Sequence, residues 1–237
     1  MKLSYDYEGH KIEFTVEFRN RKSLGIKVSP PRYIIVYAPV NTSRDRIIDM
    51  VKTKSKWMIK KLQELQKIQD KIVEKRLVDG EDFLYLGKTY SLQIIVGETV
   101  KKPRIELSNH KLLIHTNTKE PDAIKNILKS WYKEMAKEKI LERIQYYQPY
   151  FMVQPQEVKI KDQQKRWGSC SSSGVLLFNW KLIMAPITIL DYVVIHEMCH
   201  LIHMNHSKDY WGLVKKILPD YEYRKEWLKM EGVKLSL

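Results

Sequence analysis

Polar and apolar residues alternate through residues 5–38: Ile12, Phe14, Val16 and Phe18 share one side of a strand, and residues 25–28 and 33–37 flank the Pro30-Pro31 turn. This period of two predicts an antiparallel sheet. From Thr42 or Ser43, either of which can cap a helix, the period becomes three or four. Ile47, Ile48, Val51, Met58, Leu62 and Leu65 form one stripe that runs to about residue 76. Strands return at 83–86, 90–96, 104–107 and 111–115, after an Asp79-Gly80 turn. Behind Pro121 a second long helix reaches about residue 146, with Ile124, Ile127, Leu128, Trp131, Met135 and Leu141 on one side. Residues 158–170 and 175–178 read as two strands joined by a Ser171–Gly174 hairpin loop. Helices follow at 188–204, from a Ser207 cap to before Pro219, and from an Asp220 cap to about Gly232. No internal repeat is legible. The pattern is that of an α+β protein with a seam near 117–121. A β-rich N-terminal lobe with a long basic helix occupies 1–120, and a helical lobe occupies 121–237.

The 237 residues suffice to bury a core without staples, and 43% hydrophobic against 30% charged residues excludes a disordered or fibrous chain. No apolar run has the length of a secretory or membrane-spanning segment, so the expected compartment is the cytoplasm, with no membrane partner. Cys170 and Cys199 form no CxxC pair, which argues for reduced thiols. The charge of +14 favours contact with anions. The excess is spread, with 24 basic against 15 acidic residues up to 121 and 18 against 13 beyond, which suits general solubility better than a dedicated arm. Residues 42–76 hold eleven Lys or Arg and five Asp or Glu. The preferred reading of that helix is a solvated face; the other is a non-specific, salt-sensitive nucleic-acid contact.

Four of the seven histidines fall between His196 and His206. Residues i and i+4 stack on one helix face, so His196 and His200 can offer two imidazole nitrogens to one ion. Glu197, turned about 100° from His196, stands beside the ion without necessarily coordinating it and is positioned as a base. A catalytic zinc takes three protein ligands, and His206 is the best third. Six residues of helix would turn it about 240° away from His200, so the helix must end first. Asn205 tolerates a left-handed residue at such an ending, and Ser207 restarts a helix. The rival third ligands are Glu222 and Glu226 on the last helix. His203 sits about 10 Å of rise from His196 and reads as a helix-end residue. The ligand spacing matches metzincins, but their glycine is replaced by His203 and no Met-turn follows. Cys199 points away from the ion and reads as a buried thiol, and Tyr210 and Trp211 as core.

With these residues the sequence resembles the YgjP-like metal-dependent hydrolases, relatives of the SprT-type and WLM-type zincin peptidases. The resemblance includes Arg166-Trp167-Gly168-Ser169-Cys170, Gly174, Asn179, Leu182-Ile183, Ala185-Pro186, Asp191-Tyr192-Val193-Val194 and Asn205-His206-Ser207 with Tyr210-Trp211. In the first lobe it includes residues 21–28, Ala38-Pro39, Trp57 and Tyr85-Leu86-Gly87. It spans about residues 15–227. Tyr210 stands where many relatives carry Phe.

The resemblance implies a zincin-like core in which His196, His200 and His206 bind the metal and Glu197 activates water to attack a peptide carbonyl. The expected cofactor is Zn²⁺, with nickel, manganese or cobalt as alternatives, and the expected partner is a peptide or protein. Arg166 would stabilise an oxyanion or bind an acidic group; pairing with a local carboxylate is an equal reading. Two other functions are compatible with the sequence. One is nucleotide phosphoanhydride hydrolysis, which three imidazoles suit poorly. The other is a nucleic-acid-associated binding module with an accessory or vestigial metal site.

Overall fold

The computed structural model describes residues 1–29, 33–69, 75–163 and 165–237, with the side chains of Ser29, Leu65, Lys67, Ile68 and Gln69 left aside. Two compact units, Met1–Val73 and Glu74–Leu237, divide the chain.

In the first unit, β1 (Lys2–Tyr7), β2 (His10–Arg19), β3 (Gly25–Ser29) and β4 (Tyr33–Pro39) form one sheet in the order β1-β2-β4-β3. The sheet is mixed and not the antiparallel one expected, since alternation sets the pleat but not the strand direction: β2 and β4 run parallel, and the other pairs are antiparallel. The alternation read from the sequence is the pleat itself, since Ile12, Phe14, Val16, Ile34, Val36 and Ala38 all turn inward. Helix α1 (Arg44–Gln69) covers them with Ile47, Val51 and Met58, and leaves Lys52, Lys54, Lys56 and Lys60 exposed. The helix stops short of the expected residue 76, because Lys75 and Arg76 are not helical; residues 70–74 lie outside the described set.

The second unit opens with the same plan. β5 (Asp82–Tyr85), β6 (Lys88–Val96), β7 (Arg104–Ser108) and β8 (Lys111–Thr116) pair in the order β5-β6-β8-β7, again with the middle pair parallel, and α2 (Pro121–Tyr147) follows. The first hairpin of each unit turns on two residues of positive φ, Glu8-Gly9 at 47° and 79° and Leu86-Gly87 at 48° and 76°. Inward Leu112, Ile114 and Thr116 repeat Ile34, Val36 and Ala38. The chain thus contains a ββββα module twice, a repeat that the sequence hides because side chains facing the same way need only be apolar, not identical.

The composition seam at 117–121 coincides with the loop before α2, whereas compactness divides at 73/74. The second sheet lies in the same unit as α2 because both pack into one core: Phe83, Leu92, Leu112 and Ile114 join Ile124, Leu128 and Tyr132, and the Tyr132 hydroxyl donates to Leu84 O at 2.8 Å.

Beyond α2 come β9 (Glu157–Lys161), β10 (Gly168–Cys170) and β11 (Val175–Asn179), in the order β10-β11-β9. The single strand expected over 158–170 is therefore two. β9 runs parallel to β11, and β10 forms the antiparallel hairpin through Ser171–Gly174, with Gly174 at φ +78°. A short 3-10 turn, Trp180–Met184, leads to α3 (Ile187–Cys199), then α4 (Lys208–Ile217) and α5 (Tyr221–Glu231).

Helix α3 is buried nearly all round, as its apolar sequence requires. Its one buried carboxylate besides Glu197 is Asp191, 6% exposed, gripped by Arg143 Nε at 2.6 Å and Nη2 at 3.2 Å and by the Tyr147 hydroxyl at 3.0 Å. This bidentate pair bolts α3 to α2. Replacing Arg143 with Ala strands that carboxylate, and urea unfolding is expected to show a loss of about 3 kcal/mol.

Candidate metal centre

The α3 helix ends in a tightened turn. His200, Leu201 and Ile202 donate their N–H groups three residues back, to Glu197, Met198 and Cys199. The expected helix to residue 204 stops at Cys199 for this reason, and no positive φ occurs at Asn205. The helix unwinds by short hydrogen bonds instead of a left-handed residue. Ser207 then caps α4 by accepting from Tyr210 N at 3.3 Å. The reversal carries His206 back over α3.

His196, His200 and His206 come together, each offering one ring nitrogen within 4.8 Å of the others. The Nε2 atoms of His196 and His206 lie 3.2 Å apart. His200 Nδ1 donates to His203 O at 3.0 Å, which leaves its Nε2 as the lone-pair atom. His203 thus enters through its carbonyl and not its ring. Burial, then His200, His206 and Lys225, hold His196 down to about 3, and His206 shifts the same way, first through burial. Glu222 and Glu226 are not part of the group: Glu222 accepts from the Tyr221 hydroxyl at 3.1 Å and Glu226 from Lys229 at 3.0 Å.

Two neutral imidazoles on one tetrahedral ion, with bonds of about 2.0 to 2.1 Å, hold their nitrogens about 3.3 Å apart. The His196–His206 separation fits that bite, and an all-imidazole donor set suits zinc, nickel or cobalt better than magnesium or calcium.

Glu197 is 4% exposed, and burial pushes its carboxyl up to about 8 while Arg166 opposes the rise. It lies against the backbone of edge strand β10. A Cβ built on Gly168 would stand 2.5 Å from Glu197 Oε1 and 2.7 Å from its Cγ, so only glycine leaves room for the carboxylate. In the sequence this role of Gly168 leaves no signal beyond its place between Trp167 and Ser169 on a strand.

Tyr210 is fully buried, as expected, and its hydroxyl donates to His196 O at 2.9 Å. Trp211 is half-buried and stacks on His206 with ring centroids 5.4 Å apart, so it supports the cluster directly. Cys199 is buried and its thiol pushed up to about 12, in keeping with an inert packing role. Arg166 is exposed, and its charge acts on Glu197 without a direct ion pair among the described residues.

A family model described as "YgjP-like, metallopeptidase domain" matches residues 22–231. The chain belongs to the YgjP-like family. As a member it is a metal-dependent peptidase, a hydrolase whose substrates are peptides or proteins. The matched span includes all the histidines of the cluster and begins within the first unit, after β2, so it takes in β3, β4 and α1 of the first module and the whole of the second. The crystal structure of the metallopeptidase zymogen of Pyrococcus abyssi abylysin is similar at 16% identity and TM-score 0.36, over 41% of this chain and 99% of its own. No curated protein matches the chain. No helix among the described residues is long and apolar enough to cross a membrane.

Proposed function

We propose that this YgjP-like protein is a zincin-type metallopeptidase in which His196, His200 and His206 hold one divalent ion, zinc by preference, and Glu197 is the general base. The observation that carries the reading is the convergence of three imidazole nitrogens within 4.8 Å beside a buried carboxylate. An ion bound there supplies Lewis acidity, polarising a carbonyl and easing the loss of a proton from water.

The residues of the chain do the rest. Glu197 takes the proton of the attacking water at a carboxylate oxygen and returns it to the leaving nitrogen. Its low exposure excludes competing solvent, and the Gly168 backbone fixes its place. His200 keeps its orientation through His203 O, and His196 through the packing of Tyr210 and Trp211. Arg166, whose charge reaches Glu197, favours the ionised base and any negative charge developing nearby.

Magnesium-assisted phosphoanhydride chemistry finds little support in three imidazole nitrogens, since magnesium prefers oxygen ligands. The unbridged Cys170 and Cys199 support the cytoplasm as the compartment.

Elemental analysis of the untagged protein after dialysis against a trace chelator tests the site. One equivalent of zinc is expected in the wild type and near-complete loss in His206→Ala. A folded wild type without metal, or a variant that keeps its zinc, overturns the ligand set.

A further inference from the structure

Lys225, on α5, has its Nζ 4.5 Å from the centroid of the Trp211 ring. That indole stacks on His206 with only 20° between planes and lies 6.0 Å from the His196 ring. The ammonium therefore stands one aromatic ring away from the imidazole cluster, and the cation–π contact holds it there. It forms no ion pair among the described residues. The carboxylates of its own helix region are engaged elsewhere: Glu226 pairs with Lys229, Asp220 with Arg224, and Glu222 accepts from Tyr221.

A cation held one aromatic ring away from His206 repels a divalent ion bound by the cluster, as like charges do. Arg166 adds a second unpaired cation beside Glu197. With an ion bound, the ion, Lys225 and Arg166 face Glu197 as the carboxylate beside the cluster, which leaves this face with an excess of positive charge. What would complete it is an anion delivered with the substrate, and the anion that a peptide brings is a carboxylate.

We infer that Lys225 is a specificity residue that binds a carboxylate of the peptide lying across the His196–His200–His206 cluster. The inference rests on the peptidase reading and adds a substrate class to it: peptides with an acidic side chain, or with a free C-terminus, near the bond to be cut. Trp211 restrains the ammonium, so little side-chain freedom is lost when the carboxylate arrives.

The test separates binding from turnover. Zinc-loaded Glu197→Gln protein is titrated, by fluorescence anisotropy, into labelled random octapeptide pools. The pools carry one fixed Glu or one fixed Gln, each as the C-terminal acid and as the amide. Charged pools are expected to bind about ten-fold tighter, as one charge-assisted hydrogen bond allows. The gap should close in Lys225→Met and survive in Lys225→Arg, with zinc content unchanged in both. Loss of the gap on Glu-to-Gln exchange assigns the side chain as the source, and loss on amidation assigns the C-terminus. Equal binding of charged and neutral pools, or a gap that Lys225→Met leaves intact, overturns the inference. Wild-type cleavage of the same pools is scored separately. A preserved gap without any cleavage supports the carboxylate site while counting against the peptidase reading.

Discussion

Glu197→Gln is expected to lower peptide turnover by about 10²- to 10⁴-fold while leaving the fold and the bound metal in place. The size follows from what glutamine lacks. It matches the shape of the carboxylate in its cramped position under Gly168, so packing is kept, but it cannot accept a proton from water and return it to the leaving nitrogen. The ring nitrogens of His196, His200 and His206 are untouched by the change. The checks are kcat/KM on any peptide the wild type cleaves, with zinc content and the unfolding midpoint measured alongside. Undiminished turnover would remove Glu197 from its role.

Gly168→Ala should cost nearly as much without touching any proton donor, acceptor or metal ligand. The added methyl group would stand 2.5 Å from Glu197 Oε1 and 2.8 Å from Cδ, closer than atoms can approach. Either β10 retreats or the carboxylate swings away, and a displacement of about 1 Å at a reacting group is enough for a loss of about 10²-fold. Zinc should still bind. In the Glu197→Gln background the same methyl group should cost little further activity, since the two changes act on one step. Full activity in the single variant would show that Glu197 tolerates movement and that its close approach to β10 is incidental.

The parts of the site most legible in the sequence are those that depend on local spacing. His196 and His200 meet because a helix places i and i+4 together, and Ser207 announces the next helix by its own capping chemistry. The strands at 83–86, 90–96, 104–107 and 111–115 were visible because alternation is a local signal. What escaped depends on residues far apart in the chain. Nothing near Gly168 says that Glu197 will press on it, and nothing near Lys225 says that Trp211 will hold it beside His206. The end of α3 at Cys199 was missed because His200 to Met204 can continue a helix by propensity, and hydrogen bonds to Glu197, Met198 and Cys199 decided otherwise. The break between β9 and β10 was missed because the residues between them are polar enough for either structure. The duplicated module stayed hidden because only burial, and not identity, is shared by its two copies.

That duplication sets different terms for two similar turns. Around Glu8-Gly9 the space is open, and a Cβ on Gly9 would meet nothing within 4 Å. The corresponding Leu86 and Gly87 donate their backbone N–H groups to Ile183 and Met184, and a Cβ on Gly87 would lie 2.9 Å from Pro186, just ahead of the helix that bears the histidines. The first turn is free to drift through any residues that accept its backbone angles. The second is answerable to the catalytic segment through its main chain, so Leu86 can vary in side chain while Gly87 cannot, and mutation will erode the likeness of the two copies unevenly.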